Sequence, residues 1–99
     1  MGAPERPEPR ARFPLGQVLA TPGALTALNE AGQHPAGFMS RHQSGDWGDL
    51  CEEDKAENEL SLRQGFRLLS AYRLSTGSKI WVITERDRSA TTLLVPEEY

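Results

Sequence analysis

Gly65-Phe66-Arg67-Leu68-Leu69-Ser70-Ala71-Tyr72-Arg73-Leu74, then Ser75-Thr76-Gly77-Ser78, then Lys79-Ile80-Trp81-Val82-Ile83-Thr84, is the stretch that decides the fold. A polar loop from Glu85 to Ala90 follows, and Thr91-Thr92-Leu93-Leu94-Val95 closes the region. β-branched and aromatic residues cluster here, and such residues fit the pleated, half-buried surface of a strand. Thr76-Gly77-Ser78 supplies a hairpin turn. The stretch predicts three short antiparallel strands in a meander. Alternation puts Leu68, Ser70, Tyr72 and Leu74 on one face and Leu69, Ala71 and Arg73 on the other. Ile80, Val82 and Thr84 alternate in the same way with Trp81, Ile83 and Glu85.

Working outward from the meander, helices come first. Asp49 or a neighbour caps a helix with Glu52, Glu53 and Asp54 in its first turn, where the helix dipole favours acids. Gly65 stops it. Two shorter helices precede it. Thr21 is an N-cap with Pro22 at the first helical position, and Gly32 is the stop. His34-Pro35 repeats the plan, with Phe38 and Met39 as the apolar face and Gly45 as the end. These two segments predict a helical hairpin. Phe13 to Ala20 is a candidate strand, with Pro14 confined to its start or to a sheet edge. Residues 1–12 hold three prolines and no apolar side chain larger than alanine after Met1, which predicts a disordered tail. The expected class is α+β: an N-terminal strand, a helical hairpin plus a third helix, then a three-stranded antiparallel meander, all in one domain over residues 13–99.

Composition bounds the function. Ninety-nine residues suit one domain. Net charge is −3, which does not favour a generally basic nucleic-acid binder, although a local basic patch remains compatible. The single Cys51 allows no internal disulfide framework, and the N-terminus has no apolar core of a signal peptide. A cytoplasmic protein with no membrane contact, no cofactor and no metal is the expectation.

Three constellations could carry chemistry. His42 with Asp46, Asp49 and Asp54, and Trp47 among them, could serve acid–base chemistry, but the spacing matches no metal motif. The plainer reading has the aspartates shaping the loop and capping the helix, with His42 paired to one of them and Trp47 anchoring the loop in the core. Asp54, Asn58 and Ser61 line one helix face and can hold the neighbouring glycine-rich loop. Glu85, Arg86, Asp87 and Arg88, with hydroxyls on either side and Arg67 or Arg73 on the adjacent strand, could recognise phosphate. The alternative there is a loop clasped by Asp87, with its arginines solvated. Trp81 is a further candidate for binding on the sheet face.

One set of residues carries a resemblance. Arg41-His42-x-x-Gly45-Asp46-Trp47-Gly48-Asp49, Glu53-Asp54-x-x-x-Asn58-Glu59, Leu68-Leu69-Ser70-Ala71-Tyr72, Ile80-Trp81-Val82-Ile83-Thr84-Glu85-x-Asp87-Arg88-Ser89-x-Thr91-Thr92 and Pro96-Glu97-Glu98-Tyr99 resemble a group of short bacterial proteins labelled only plasmid-related or hypothetical. The likeness covers residues 13–99. It implies a bacterial cytosolic protein associated with mobile DNA, and it implies no activity. The strand–loop–strand rhythm from Lys79 to Val95 is also similar to the final hairpin of barnase-like RNases. That likeness implies a metal-independent nuclease using Glu85, Arg88, Arg67 and His42. The catalytic histidine of such a hairpin has no counterpart here, and Arg88 stands nearest. The leading expectation is a small non-enzymatic binding or modulator protein of bacterial mobile DNA, acting on another protein. A nuclease and an inhibitor of a host defence nuclease are the alternatives.

Overall fold

The computed structural model describes residues 11–99. The first ten positions of the expected tail lie outside the described residues. Among the described residues, Arg12 of that expected tail already makes contacts. Its guanidinium grips Glu59 with two hydrogen bonds of 2.8 and 2.9 Å, and its N–H donates to the Gln43 carbonyl.

The elements run β1 (Gln17–Ala20), α1 (Pro22–Ala31), α2 (Pro35–Gln43), α3 (Glu52–Gln64), β2 (Leu68–Arg73), β3 (Lys79–Thr84), β4 (Ala90–Leu94) and a closing 3-10 turn, Pro96–Glu98. The fold is α+β, as expected. β2, β3 and β4 form the antiparallel meander. The sheet is nonetheless mixed. β1 lies parallel beside β4, giving the order β1-β4-β3-β2.

The N-terminal strand is shorter than the sequence suggests, because Gly16 takes φ 67°. A Cβ there would lie 2.4 Å from the backbone of Ser89, so only glycine lets the chain pass this close before it joins the sheet. Phe13 is thereby turned into the core instead of into a strand.

The short helices form where their caps predict. The Thr21 hydroxyl accepts the Ala24 N–H at 3.1 Å, and Gly32 ends α1 in the left-handed region. His34 caps α2 through Nδ1, which accepts the Ala36 N–H. The two helices follow one another as expected, and both rest on the sheet. α1 lies against β4 and α2 against β3, so each buries its apolar stripe on the sheet. Ser44 ends α2, one residue before the expected Gly45. α3 begins after Cys51, which makes no side-chain cap. Asp49 lies two residues before this cap position, where its N–H donates to the Ala71 carbonyl of β2, so the helix starts later than an Asp49 cap would set it.

α1 and α2 cover the inner sheet face. Ala24, Leu28, Phe38 and Met39 pack there on Tyr72, Leu74, Ile80, Val82 and Leu93. Phe13, Trp47 and Leu68 form a second cluster beside it. The opposite face carries Leu69, Ala71, Arg73, Lys79, Trp81, Ile83, Thr92 and Leu94 by register.

Candidate functional site

The loop joining β3 to β4 turns at Arg88, which sits at φ 60°. Its guanidinium points inward. Nη1 donates to the carbonyls of Phe66 (2.6 Å), Glu85 (3.1 Å) and Arg86 (3.4 Å), and Nη2 to that of Ser61 (3.2 Å). Ser61 lies in the last turn of α3, where a cation meets the negative end of the helix dipole. The same guanidinium stands 5.8 Å over the ring of Phe13. Phe13 meets His42 edge-on at 5.2 Å and stacks on Trp47 at 6.3 Å. The fold therefore gathers Arg88, His42 and Trp47, drawn from three separate segments, around Phe13.

His42 is fully buried. It contacts no carboxylate, contrary to the pairing read from the sequence. Nδ1 lies 2.6 Å from the Ser70 hydroxyl and Nε2 2.9 Å from that of Thr84. Thr84 reaches Thr91 at 2.7 Å, and Thr91 donates to the Leu15 carbonyl at 2.7 Å. That carbonyl fixes every proton in the chain. Thr91 spends its one hydrogen on Leu15, so it must accept from Thr84. Thr84 must then accept from Nε2–H, which leaves Nδ1 to accept from Ser70. His42 is thus the neutral Nε2–H tautomer, assigned from the network. Burial, and then the charge of Arg88, lower its pKa to about 4.

Trp47 is buried, as its loop position suggests, and donates Nε1–H to Glu59 at 2.9 Å. Glu59 also holds Arg12, and these bonds lower its pKa to about 2. Asp46 bonds Arg41 at 2.6 Å and accepts the Gly48 N–H at 3.2 Å. Among the described residues, no three His, Cys, Asp or Glu side chains come together as metal ligands.

The remaining candidates lie elsewhere. Glu85 and Arg86 are exposed, and Asp87 accepts the Ser89 N–H at 3.0 Å. Arg67 and Trp81 meet on the outer sheet face through Tyr99. Arg67 Nη2 donates to the Tyr99 hydroxyl at 2.8 Å, and the Tyr99 ring meets Trp81 at 5.4 Å. Arg67 and Trp81 flank the row of Leu69, Ile83 and Thr92, so Tyr99 bridges across that row. Trp81 is half-buried, Tyr99 is 65% exposed, and Arg67, Arg73 and Lys79 rim the face.

Asn58 belongs to neither place. Its amide donates to the Leu69 carbonyl at 2.6 Å and accepts the Leu69 N–H at 3.2 Å. It grips β2 instead of the glycine-rich loop, while Asp54 on the same helix face stays exposed. Sequence reasoning missed Phe13, Glu59 and Tyr99. Phe13 carried a signal as a large aromatic at the border of a polar tail, while Glu59 and Tyr99 stood only within the motifs of the resemblance.

A general acid or base must come within hydrogen-bond reach of its substrate. His42 has both ring nitrogens engaged and no exposed surface. The Arg88 cluster is therefore a clasp that locks the β3–β4 loop to α3 and to the second apolar cluster. The outer face has the free polar and aromatic surface. Two clefts, of about 340 and 430 Å³, lie along α2 and beside the β2–β3 turn; Lys79 lines the second, and neither is lined by His42, Trp47, Arg67, Trp81, Glu85, Arg86, Asp87 or Arg88. No family model, no curated protein and no solved structure matches this chain.

Proposed function

We propose that this chain is a small non-enzymatic binding protein that works through contact with another protein, using the outer sheet face. The setting is the one its likeness to short plasmid-related bacterial proteins implies, a cytoplasmic modulator carried with mobile DNA. The observation that carries the reading is the Arg67–Tyr99–Trp81 ladder. It lies across the sheet on the side away from α1 and α2, with Arg67 and Tyr99 exposed and Trp81 half-buried over the buried Ala71, Ile83 and Leu94. Aromatic and arginine side chains with an apolar centre are the usual anchors of protein contacts. Arg67, Arg73 and Lys79 at the rim favour a partner surface with an acidic border, although the chain itself is net negative.

The nuclease reading loses support from the same geometry, since two of its four residues, Arg88 and His42, are consumed by the fold. Affinity capture from a bacterial lysate, with and without nuclease treatment, tests the proposal. A partner retained after nuclease treatment and lost with Trp81→Asp is expected. Retention that nuclease abolishes would make the face a nucleic-acid platform. RNA cleavage that persists in the purified domain and fails with Glu85→Gln would restore the enzyme.

A further inference from the structure

The two edges of the sheet are treated differently. The β2 edge is covered at Leu69 and Ala71. Asn58 pairs with both backbone groups of Leu69, and the Trp47–Asp49 loop bonds both backbone groups of Ala71. The β1 edge is open. Gln17 and Thr21 direct their N–H groups to Ser89 and Leu93 beside β4, so alternation turns the N–H and C=O of Val18 and Ala20 outward. Among the described residues no backbone hydrogen bond reaches those groups. Val18 and Leu19 are 51% and 42% exposed there. Open edges are ordinarily blunted by proline, lysine or a bulge within the strand, and Gln17-Val18-Leu19-Ala20 has no proline or charge.

We propose that two copies of this chain pair antiparallel through β1, edge to edge, making one continuous sheet. The edge is self-complementary in a single register. With Val18 opposite Ala20 of the second copy, a two-fold axis passes through Leu19. Every outward N–H and C=O of Val18 and Ala20 in both copies then finds a partner. The two Leu19 side chains meet as a non-hydrogen-bonded pair, the closer kind, on the outer face. Shifting the register by one residue would oppose inner-face and outer-face side chains, so it is disfavoured. The strand is neutral, so the seam brings no like charges together despite the net charge of the chain. Pairing stops at Thr21-Pro22, where α1 begins, so the contact is small and the association reversible. An axis normal to the sheet keeps both outer faces on one side, so the dimer presents them as a bivalent surface. The dimer stands on the edge alone and does not depend on what the outer face binds.

Sedimentation equilibrium of the full chain over a wide concentration range tests it. A monomer–dimer equilibrium is expected. Val18→Pro removes an N–H that no intrachain bond uses, and by symmetry it removes it twice. Association should weaken by roughly 10- to 100-fold while circular dichroism and the thermal midpoint report an intact fold. Leu19→Lys and Leu19→Glu copies should each be monomeric alone and should associate when mixed. A chain that stays monomeric at all concentrations overturns the proposal. So does a dimer unaffected by these folded variants.

Discussion

Burial of His42 links folding to pH. In the unfolded chain the imidazole takes a proton below its ordinary value of 6.5, whereas in the folded chain it does so only below about 4. Between those values the unfolded state binds more protons, so stability falls as pH drops from 6.5 towards 4 and the loss levels off below it. The full loss is about 3 kcal/mol. Glu59 acts in a lower window. Its carboxyl is held near 2 against an ordinary 4.5, so its contribution is lost only as pH falls through that range. Urea unfolding at pH values on either side of 6 should show the His42 effect, and His42→Gln should flatten it. Imidazole nitrogen shifts should also report the Nε2–H tautomer. Arg88 gives a second residue-level prediction. Arg88→Ala removes the donors to four carbonyls and should cost about 1–3 kcal/mol by chemical denaturation. Arg88→Gly should cost less than Arg88→Ala, because at φ 60° glycine relieves backbone strain that alanine keeps.

At the scale of elements, Asn58 illustrates how one side chain substitutes for a strand. It supplies a donor and an acceptor to the Leu69 backbone, while the Asp49 N–H and the Trp47 carbonyl supply the same to Ala71. Asn58→Leu leaves two half-buried backbone groups without these partners and should cost about 1–3 kcal/mol. Asn58→Asp keeps an acceptor for the Leu69 N–H but loses the donor, so it should fall between the two. Amide hydrogen exchange at Leu69 should quicken in Asn58→Leu and much less in Asn58→Asp, which keeps the acceptor, and that at Val82, inside the sheet, should not change in either. What the sequence made legible at this scale follows a simple division. Thr21, Pro22, Gly32 and Gly65 act on the residues next to them, and each does what its type predicts. The meander is equally local, since its strands are joined by short turns and alternation reveals the buried face. β1 is not local. Its partner lies in Ala90–Leu93, and its length depends on how closely Gly16 passes Ser89. The same holds for the site. Trp47 was recognisable as buried from its place in a glycine- and aspartate-rich loop. The role of Arg88 depends on carbonyls of Ser61 and Phe66, which no spacing in the sequence relates to it.

Across the whole molecule the described residues are fastened near both of their ends, by different means. Near the start, Arg12 and Glu59 form a surface pair, each about 40% exposed, and such pairs contribute about 0–1 kcal/mol. At the end the tie is more extensive. The Glu98 carboxylate accepts the Gly23 N–H at 3.1 Å and the Val95 N–H at 3.0 Å, and the Thr21 hydroxyl donates to it as well. The negative charge thus sits at the N-terminus of α1, where the dipole favours it. Tyr99, next in sequence, lies against Trp81. One short turn therefore caps the first helix and covers part of the outer face. Removing Pro96–Tyr99 should lower the thermal midpoint, shift Trp81 emission to longer wavelength and leave Leu69 and Ile83 more exposed on that face. Removing residues 2–10, whose composition offers little apolar surface to bury, should leave the midpoint unchanged within error. Glu98→Gln separates the contributions. It keeps an acceptor oxygen for the backbone amides but loses the charge, so its midpoint should lie between wild type and the C-terminal deletion, with Trp81 emission unshifted. A Glu98→Gln midpoint equal to that of the deletion would place the whole effect in the helix cap and none in the aromatic contact.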